Sequence, residues 1–192
     1  MQNWLSKLIL SPGYSIVDNR SQRIASAVLL PVFEQNKHWR LIFIRRSNTL
    51  RHHKGQFAFP GGRFDPQDND LSTTALREAY EEIRLEQHQV ELIAKLPNQD
   101  AGNRFTMTPY IGLLQNKPKL YPNTAEVTEI FHLPLEPFLQ PRHYQRLKSS
   151  DGQTTRTIYF IEVNNRVIWG ATAGVLYGLA CRVTGRKSLL PR

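Results

Sequence analysis

Cysteine is nearly absent from this chain. Its 192 residues include one, Cys181, so no internal disulfide can form and a reducing, cytoplasmic setting is expected. Cys181 has no catalytic partner near it in sequence and reads as a core residue. The first residues, Met1-Gln2-Asn3-Trp4, show no basic region followed by an apolar run, so no secretory signal is expected. The most apolar stretch, Val167 to Cys181, is too short and glycine-rich to span a bilayer comfortably, and no membrane partner is expected. Repeats, low-complexity tracts and linkers are missing as well. One principal domain over residues 25–185 is therefore expected, with an accessory segment at 1–24 and a basic tail at 186–192. Acidic residues are in deficit, 16 against 25 lysines and arginines, for a net charge of +9. Such a balance suits a polyanionic partner. No nucleic-acid-binding module accompanies the charge, so a phosphate-rich small molecule is expected and nucleic acid is not.

What is present alternates between strand and helix patterns. Trp4, Leu5, Leu8 and Ile9 recur at helical spacing. A short N-terminal helix packing on the domain is expected, with a homodimer contact as the alternative. Ala25 to Phe33 and Trp39 to Ile44 read as two strands of a hairpin about the polar turn 34–38. Val90 to Leu96 reads as a strand and 97–104 as a loop. Phe105 to Leu114 reads as a strand that Pro109 makes an edge or bulges. Glu126 to Leu135 returns to the sheet, and the stretch from His143 to Lys148 is basic. Thr154 to Val163 and Val167 to Trp169 form a hairpin with Asn164-Asn165 at its turn. Thr172 to Val183 is apolar nearly all round and reads as a buried helix.

The chain is organised around residues 61–85. Gly61 and Gly62 permit close approach of the backbone to a ligand. A helix follows, capped by Asp70 or Ser72 and rich in helix formers from Ala75 to Glu82. At about 100° per residue, Glu78, Glu81 and Glu82 share one arc and Leu76, Ala79, Tyr80 and Ile83 the opposite one. A solvated acidic face explains most such clusters. The glycine loop in front of this one argues instead for a diphosphate-and-metal site, since carboxylate oxygens suit Mg²⁺ or Mn²⁺.

The glycine loop followed by Arg77-Glu78-Ala79-Tyr80-Glu81-Glu82-Ile83-Arg84-Leu85 resembles the Nudix box of the Nudix hydrolases. That resemblance implies an α/β fold, an α/β/α sandwich with a mixed sheet, and hydrolysis of diphosphates with Mg²⁺ or Mn²⁺. By position, Glu78, Glu81 and Glu82 would hold metal and supply the base, Arg77 would steady them, and Gly62 would lead the box. Glu126 is the candidate for a further carboxylate. Two departures show. The loop before Arg77-Glu78 is one residue longer than usual, so Asp68 or Asp70 stands in for the early acid. Arg84 replaces the late glycine, which puts the helix end rather than the chemistry in question.

Arg46-Ser47, Arg51, Gly55 and Phe59-Pro60-Gly61-Gly62 resemble the extra motif of coenzyme A diphosphatases, with Ile42, Phe43 and Ile44 in place of its usual start. The longer loop also occurs in that subfamily, and Trp169-Gly170 with Thr172-Ala173 resembles its domain end. The resemblance implies coenzyme A, or its acyl derivatives, cleaved to 4′-phosphopantetheine and adenosine 3′,5′-bisphosphate. Arg45, Arg46, Arg51 and Lys54, beside Gly61 and Gly62, are the candidates for binding its phosphates. His52 and His53 are not expected to ligate metal. The alternatives are a Nudix diphosphatase for another nucleotide and a non-catalytic nucleotide- or RNA-binding module on the same scaffold.

Overall fold

A computed structural model describes residues 3–10, 23–50, 53–102, 104–150 and 155–186. In chain order the elements are α1 (Asn3–Leu10), β1 (Ile24–Gln35), β2 (His38–Arg46), β3 (Phe57–Ala58), β4 (Gly61–Arg63), α2 (Leu71–Ile83), β5 (Val90–Lys95), β6 (Gln99–Ala101), β7 (Phe105–Leu114), β8 (Val127–Pro134), β9 (Gln145–Ser150), β10 (Thr155–Val163), β11 (Arg166–Trp169) and α3 (Gly170–Thr184). Strands β1 to β8 form one mixed sheet, and β9, β10 and β11 a second, antiparallel one.

Period-2 alternation in β1 builds the layers. Val28, Leu30 and Val32 join a core shared with α1, α3 and the small sheet. Ala27, Leu29 and Phe33 join a second core with Ala75, Ala79 and Ile83 of α2. A strand covered on both faces reads as a continuous apolar run, which is how β1 reads. The result is the α/β/α sandwich with a mixed sheet that the resemblance implies. α1 packs on the domain, with Trp4 and Leu8 buried and Trp4 edge-on to Trp39 at 5.4 Å. Among the described residues no helix is long and apolar enough to cross a membrane.

The β1–β2 turn is tight. Asn36 and Lys37 both take positive φ, 53° and 63°, between the pair Gln35 and His38. Asn164 and Asn165 do the same, at 52° and 58°, between β10 and β11. Two consecutive positive φ values match the twist of the flanking strands.

Two expectations change, and one stretch without an assigned structure gains one. β7 is central rather than an edge: it pairs parallel with β1 from Ile24↔Phe105 to Phe33↔Leu114, and β5 and β6 share its other side. Pro109 falls where β5 has ended and β6 has not begun, so its missing N–H spoils no ladder bond, while its carbonyl accepts from the Leu96 N–H at 2.9 Å. The expected loop 97–104 contains β6, and the basic stretch before Lys148 enters β9. Both are short polar strands whose pairing comes from a neighbour and not from their own hydrophobic pattern.

Candidate functional site

The main sheet forks where the glycines lie. β1 and β2 pair with each other only from Val32↔Leu41 to Gln35↔His38. Beyond that point β4 takes the edge of β1 at Ser26–Val28, and β3 takes that of β2 at Ile44–Arg45. Phe59 and Pro60 hold the fork together. Phe59 stacks on Phe43 at 4.8 Å, and the Pro60 carbonyl accepts from the Leu29 N–H at 2.9 Å. α2 lies against this junction.

Local signals set α2. Asp70 caps it, accepting from the Thr73 N–H at 2.8 Å and the Ser72 hydroxyl at 2.6 Å. Arg84 ends it at φ 57°, ψ 34°, and its N–H returns to the Ala79 and Tyr80 carbonyls. Arginine thus adopts the left-handed conformation that glycine supplies more cheaply.

The three glutamates are not equivalent. Glu81 is exposed and Glu78 half-buried, whereas Glu82 is 1 % exposed. Two turns after Ala75, Glu82 falls on the buried stripe. Tyr80, expected in the buried arc, is exposed instead, with the Arg84 guanidinium over its ring at 5.2 Å. Glu82 is met from both prongs of the fork: the Gly61 N–H donates to its Oε2 at 2.9 Å and Arg46 Nη1 to its Oε1 at 3.2 Å. Burial pushes its carboxyl up to about 8, against the pull of Gly61 and Arg46 and with a push from Glu78 and Glu126. Burial raises Glu78 too, opposed by Arg77 and assisted by Glu81 and Glu126. Glu126 thus shares this electrostatic neighbourhood, tied to the end of β2 through its carbonyl, which accepts from the Ser47 N–H at 2.7 Å.

Arg77 connects these groups. Its Nε and Nη2 form a two-pronged pair with Asp68 at 2.9 and 3.1 Å, and its Nη1 reaches Glu78 at 2.9 Å and Glu81 at 3.1 Å. Asp68 also accepts from the Thr74 hydroxyl at 2.7 Å and the Asp65 N–H at 3.2 Å. The Arg77 hydrogen bonds above all hold its carboxyl down at about 2. Of the two candidates for the early acid, Asp68 anchors the arginine and Asp70 caps the helix.

The basic candidates separate. Arg46 contacts Glu82, and its backbone bonds both Gln56 and Gly55 of the loop ahead of β3. Arg45 is exposed over the Phe57 ring at 5.9 Å. Lys54 is exposed, and Arg51 lies outside the described residues. His53 is exposed and within 2.9 Å of the Gln56 side chain. Gly62 leaves bare backbone where a Cβ would sit 2.4 Å from the Glu78 carboxyl carbon.

Arg46, Gly61 and Phe59 line one side of a cleft of about 610 Å³ whose far wall is the small sheet and the start of α3. That wall is what sequence reasoning missed, since only Trp169-Gly170 signalled it. A second cavity of about 680 Å³, between Gln89 and Lys119, does not include the glutamates.

Among the described residues no three carboxylate, imidazole or thiol groups are gathered closely enough to hold a metal as they stand. Arg77 engages Glu78 and Glu81, and Arg46 engages Glu82. The donor chemistry nevertheless fits a hard divalent cation. Burial first, and neighbouring carboxylates after it, push up Glu78 and Glu82, and a bound cation opposes both pressures.

A helix of carboxylates against a glycine fork, in an α/β/α sandwich, is the framework of a phosphoanhydride hydrolase. Residues 23–153 match the NUDIX domain, and the chain belongs to the Nudix hydrolase family, whose members act on pyrophosphate bonds and generally use divalent metals. It is 39% identical over 158 residues to a curated relative named Uncharacterized Nudix hydrolase NudL, from Photorhabdus laumondii, across 82% of this chain and 84% of that one. It is 34% identical over 180 residues to the protein of that name from Pectobacterium atrosepticum, across 94% and 92%. Among solved structures, a MutT/nudix family protein from Enterococcus faecalis shares the fold with a TM-score of 0.59, over 91% of this chain and 64% of that one, at 14% identity.

Proposed function

We propose that this chain hydrolyses the diphosphate of coenzyme A, free or acylated, to 4′-phosphopantetheine and adenosine 3′,5′-bisphosphate, with Mg²⁺ or Mn²⁺. One observation carries the reading. Arg46 and Gly61, both from the stretch that resembles the coenzyme A diphosphatase motif, grip the two carboxylate oxygens of Glu82. The substrate-type motif and the acidic box therefore form one surface.

Glu78, Glu81 and Glu82 would hold the cation, with Glu126 as a fourth carboxylate, and the ion when bound neutralises diphosphate charge and makes water more acidic. Arg77 orients Glu78 and Glu81, and is itself fixed by Asp68. Gly61 and Gly62 let the diphosphate approach the backbone. Arg46 lines the cleft and is the first candidate to meet a phosphate, while Arg45, Arg51 and Lys54, from the same stretch of sequence, are the further candidates.

Product analysis tests the reading. The purified protein is incubated with Mg²⁺ or Mn²⁺ and coenzyme A, beside dephospho-coenzyme A, ADP-ribose and dGTP. Adenosine 3′,5′-bisphosphate released fastest from coenzyme A supports it. Faster cleavage of another compound keeps the hydrolase and discards the substrate. Binding without any cleavage points to a nucleotide-binding module.

A further inference from the structure

We infer that Trp169 is the platform on which the purine of the substrate stacks; the inference rests on the proposed hydrolysis of a purine-nucleotide diphosphate. Trp169 ends β11 and lines the same cleft as Arg46 and Gly61, on its opposite wall. Its indole is 44% exposed, an uncommon state for so large an apolar surface. The ring is nonetheless held in place. Trp169 pairs with Phe160 across the ladder, and the two rings lie nearly parallel, 13° apart, with centroids at 6.4 Å. Gly170 follows at φ +68° and turns the chain directly into α3, fixing the indole at the edge of the sheet.

The small sheet is pinned to the main one, so the platform keeps its distance from the glutamates. Arg166 of β11 bonds Glu129 of β8 at 2.7 Å and lies over the Phe131 ring at 4.8 Å. Charge in the cleft is complementary to a nucleotide. Arg46, Arg23 and Arg156 line it, and Asp100, its one carboxylate among the described residues, lies 2.6 Å from Arg23. An aromatic face beside cations is the combination that holds a base and its phosphates. Leu147 and Val167 are exposed on the same face of the small sheet, so a second copy of the chain is the competing occupant.

The test is binding of adenosine 3′,5′-bisphosphate without divalent metal, read by tryptophan fluorescence and calorimetry. The other two tryptophans, Trp4 and Trp39, face each other across α1 and β2, so a stacked purine quenches Trp169. The ligand should quench the wild type. Trp169→Phe should lose the quench but keep most of the affinity, and Trp169→Ala, at an unchanged melting temperature, should bind at least about fivefold more weakly. Binding of 4′-phosphopantetheine should change in neither variant. Quenching that survives in Trp169→Phe, unchanged affinity in Trp169→Ala, or weakened 4′-phosphopantetheine binding would each overturn the inference. So would a wild-type dimer in sedimentation that Trp169→Ala splits. The two readings fail separately: if ADP-ribose is cleaved in place of coenzyme A, that substrate is discarded and Trp169 meets the same criteria with AMP.

Discussion

Alanine at Gly61 and alanine at Gly62, one residue apart, should damage the protein in different ways. A Cβ on Gly61 would lie 2.4 Å from the Ala27 carbonyl oxygen, 2.6 Å from Val28 Cγ1 and 2.7 Å from Val28 Cα. Two of these atoms are backbone of β1, which β7 pins from Ile24 to Phe33. β4 must then peel away, losing part of its ladder with β1 and the Gly61 N–H bond to buried Glu82. Overpacking of this kind costs about 1–3 kcal/mol. At roughly 2–4 °C per kcal/mol for a chain of this size, the melting temperature should fall by roughly 2–12 °C. The three atoms nearest to a Cβ on Gly62 all belong to the Glu78 carboxyl group, at 2.4 to 2.6 Å. That group ends a flexible side chain and can swing aside for less than about 1 kcal/mol. Gly62→Ala should melt within about 4 °C of wild type. With Glu78 holding the cation as proposed, turnover should still drop by at least about tenfold, because a misplacement near 1 Å in a site can cost about 100-fold. Thermal melts and initial rates on the substrate found by product analysis measure both. Full turnover in Gly62→Ala would refute the placing of Glu78 against bare backbone, and a wild-type melt for Gly61→Ala would refute the packing of the fork.

Arg84→Gly should stabilise the fold by about 0.5–1 kcal/mol in a urea titration, since the left-handed conformation costs a non-glycine residue about 1–2 kcal/mol and the contact with Tyr80 returns only part of it. Asp68→Asn should lower stability at pH 7 by about 1–2 kcal/mol after allowance for solvent screening. Because the Asp68 carboxyl falls from an ordinary 3.8 to about 2 on folding, its contribution is complete above pH 4 and lost as pH drops through 2, so the gap between variant and wild type should close over that window. Glu82→Gln should remove most turnover while the protein stays folded. Millimolar Mg²⁺ or Mn²⁺ should raise the melting temperature of the wild type by mass action and leave that of Glu82→Gln unmoved; equal shifts would remove Glu82 from the metal site.

Interactions within a few residues, and alternation along one strand, were legible in the sequence. The helix of residues 71–83, its acidic cap, the paired-asparagine turn and the strand β1 all follow from such local rules. The illegible part is what distant segments supply. The helical wheel grouped Glu82 with Glu78 and Glu81 as equals, yet Glu82 is buried. Only its partners make that tolerable: Gly61, 21 residues before it, and Arg46, 36 residues before it. Pro109 signalled an edge because proline breaks ladders; its effect vanishes once two short neighbours leave a gap at its position.

The far wall of the cleft was hidden for the same reason, because β9 carries no alternation of its own and takes its conformation from β10. Arg84 marks the boundary between the two kinds of information. Its departure from the expected glycine put the helix end in question. The local pattern alone did not say whether the turn would be rebuilt, and the structure keeps it by placing arginine at φ 57° with its guanidinium over Tyr80. Exposure of Tyr80 and the left-handed Arg84 therefore belong to one feature. Arg84→Gly and Tyr80→Ala together should be less than additive in stability, because the first removes the contact that the second would break. Strict additivity in a double-mutant cycle would separate the two and leave the exposed ring without a physical reason.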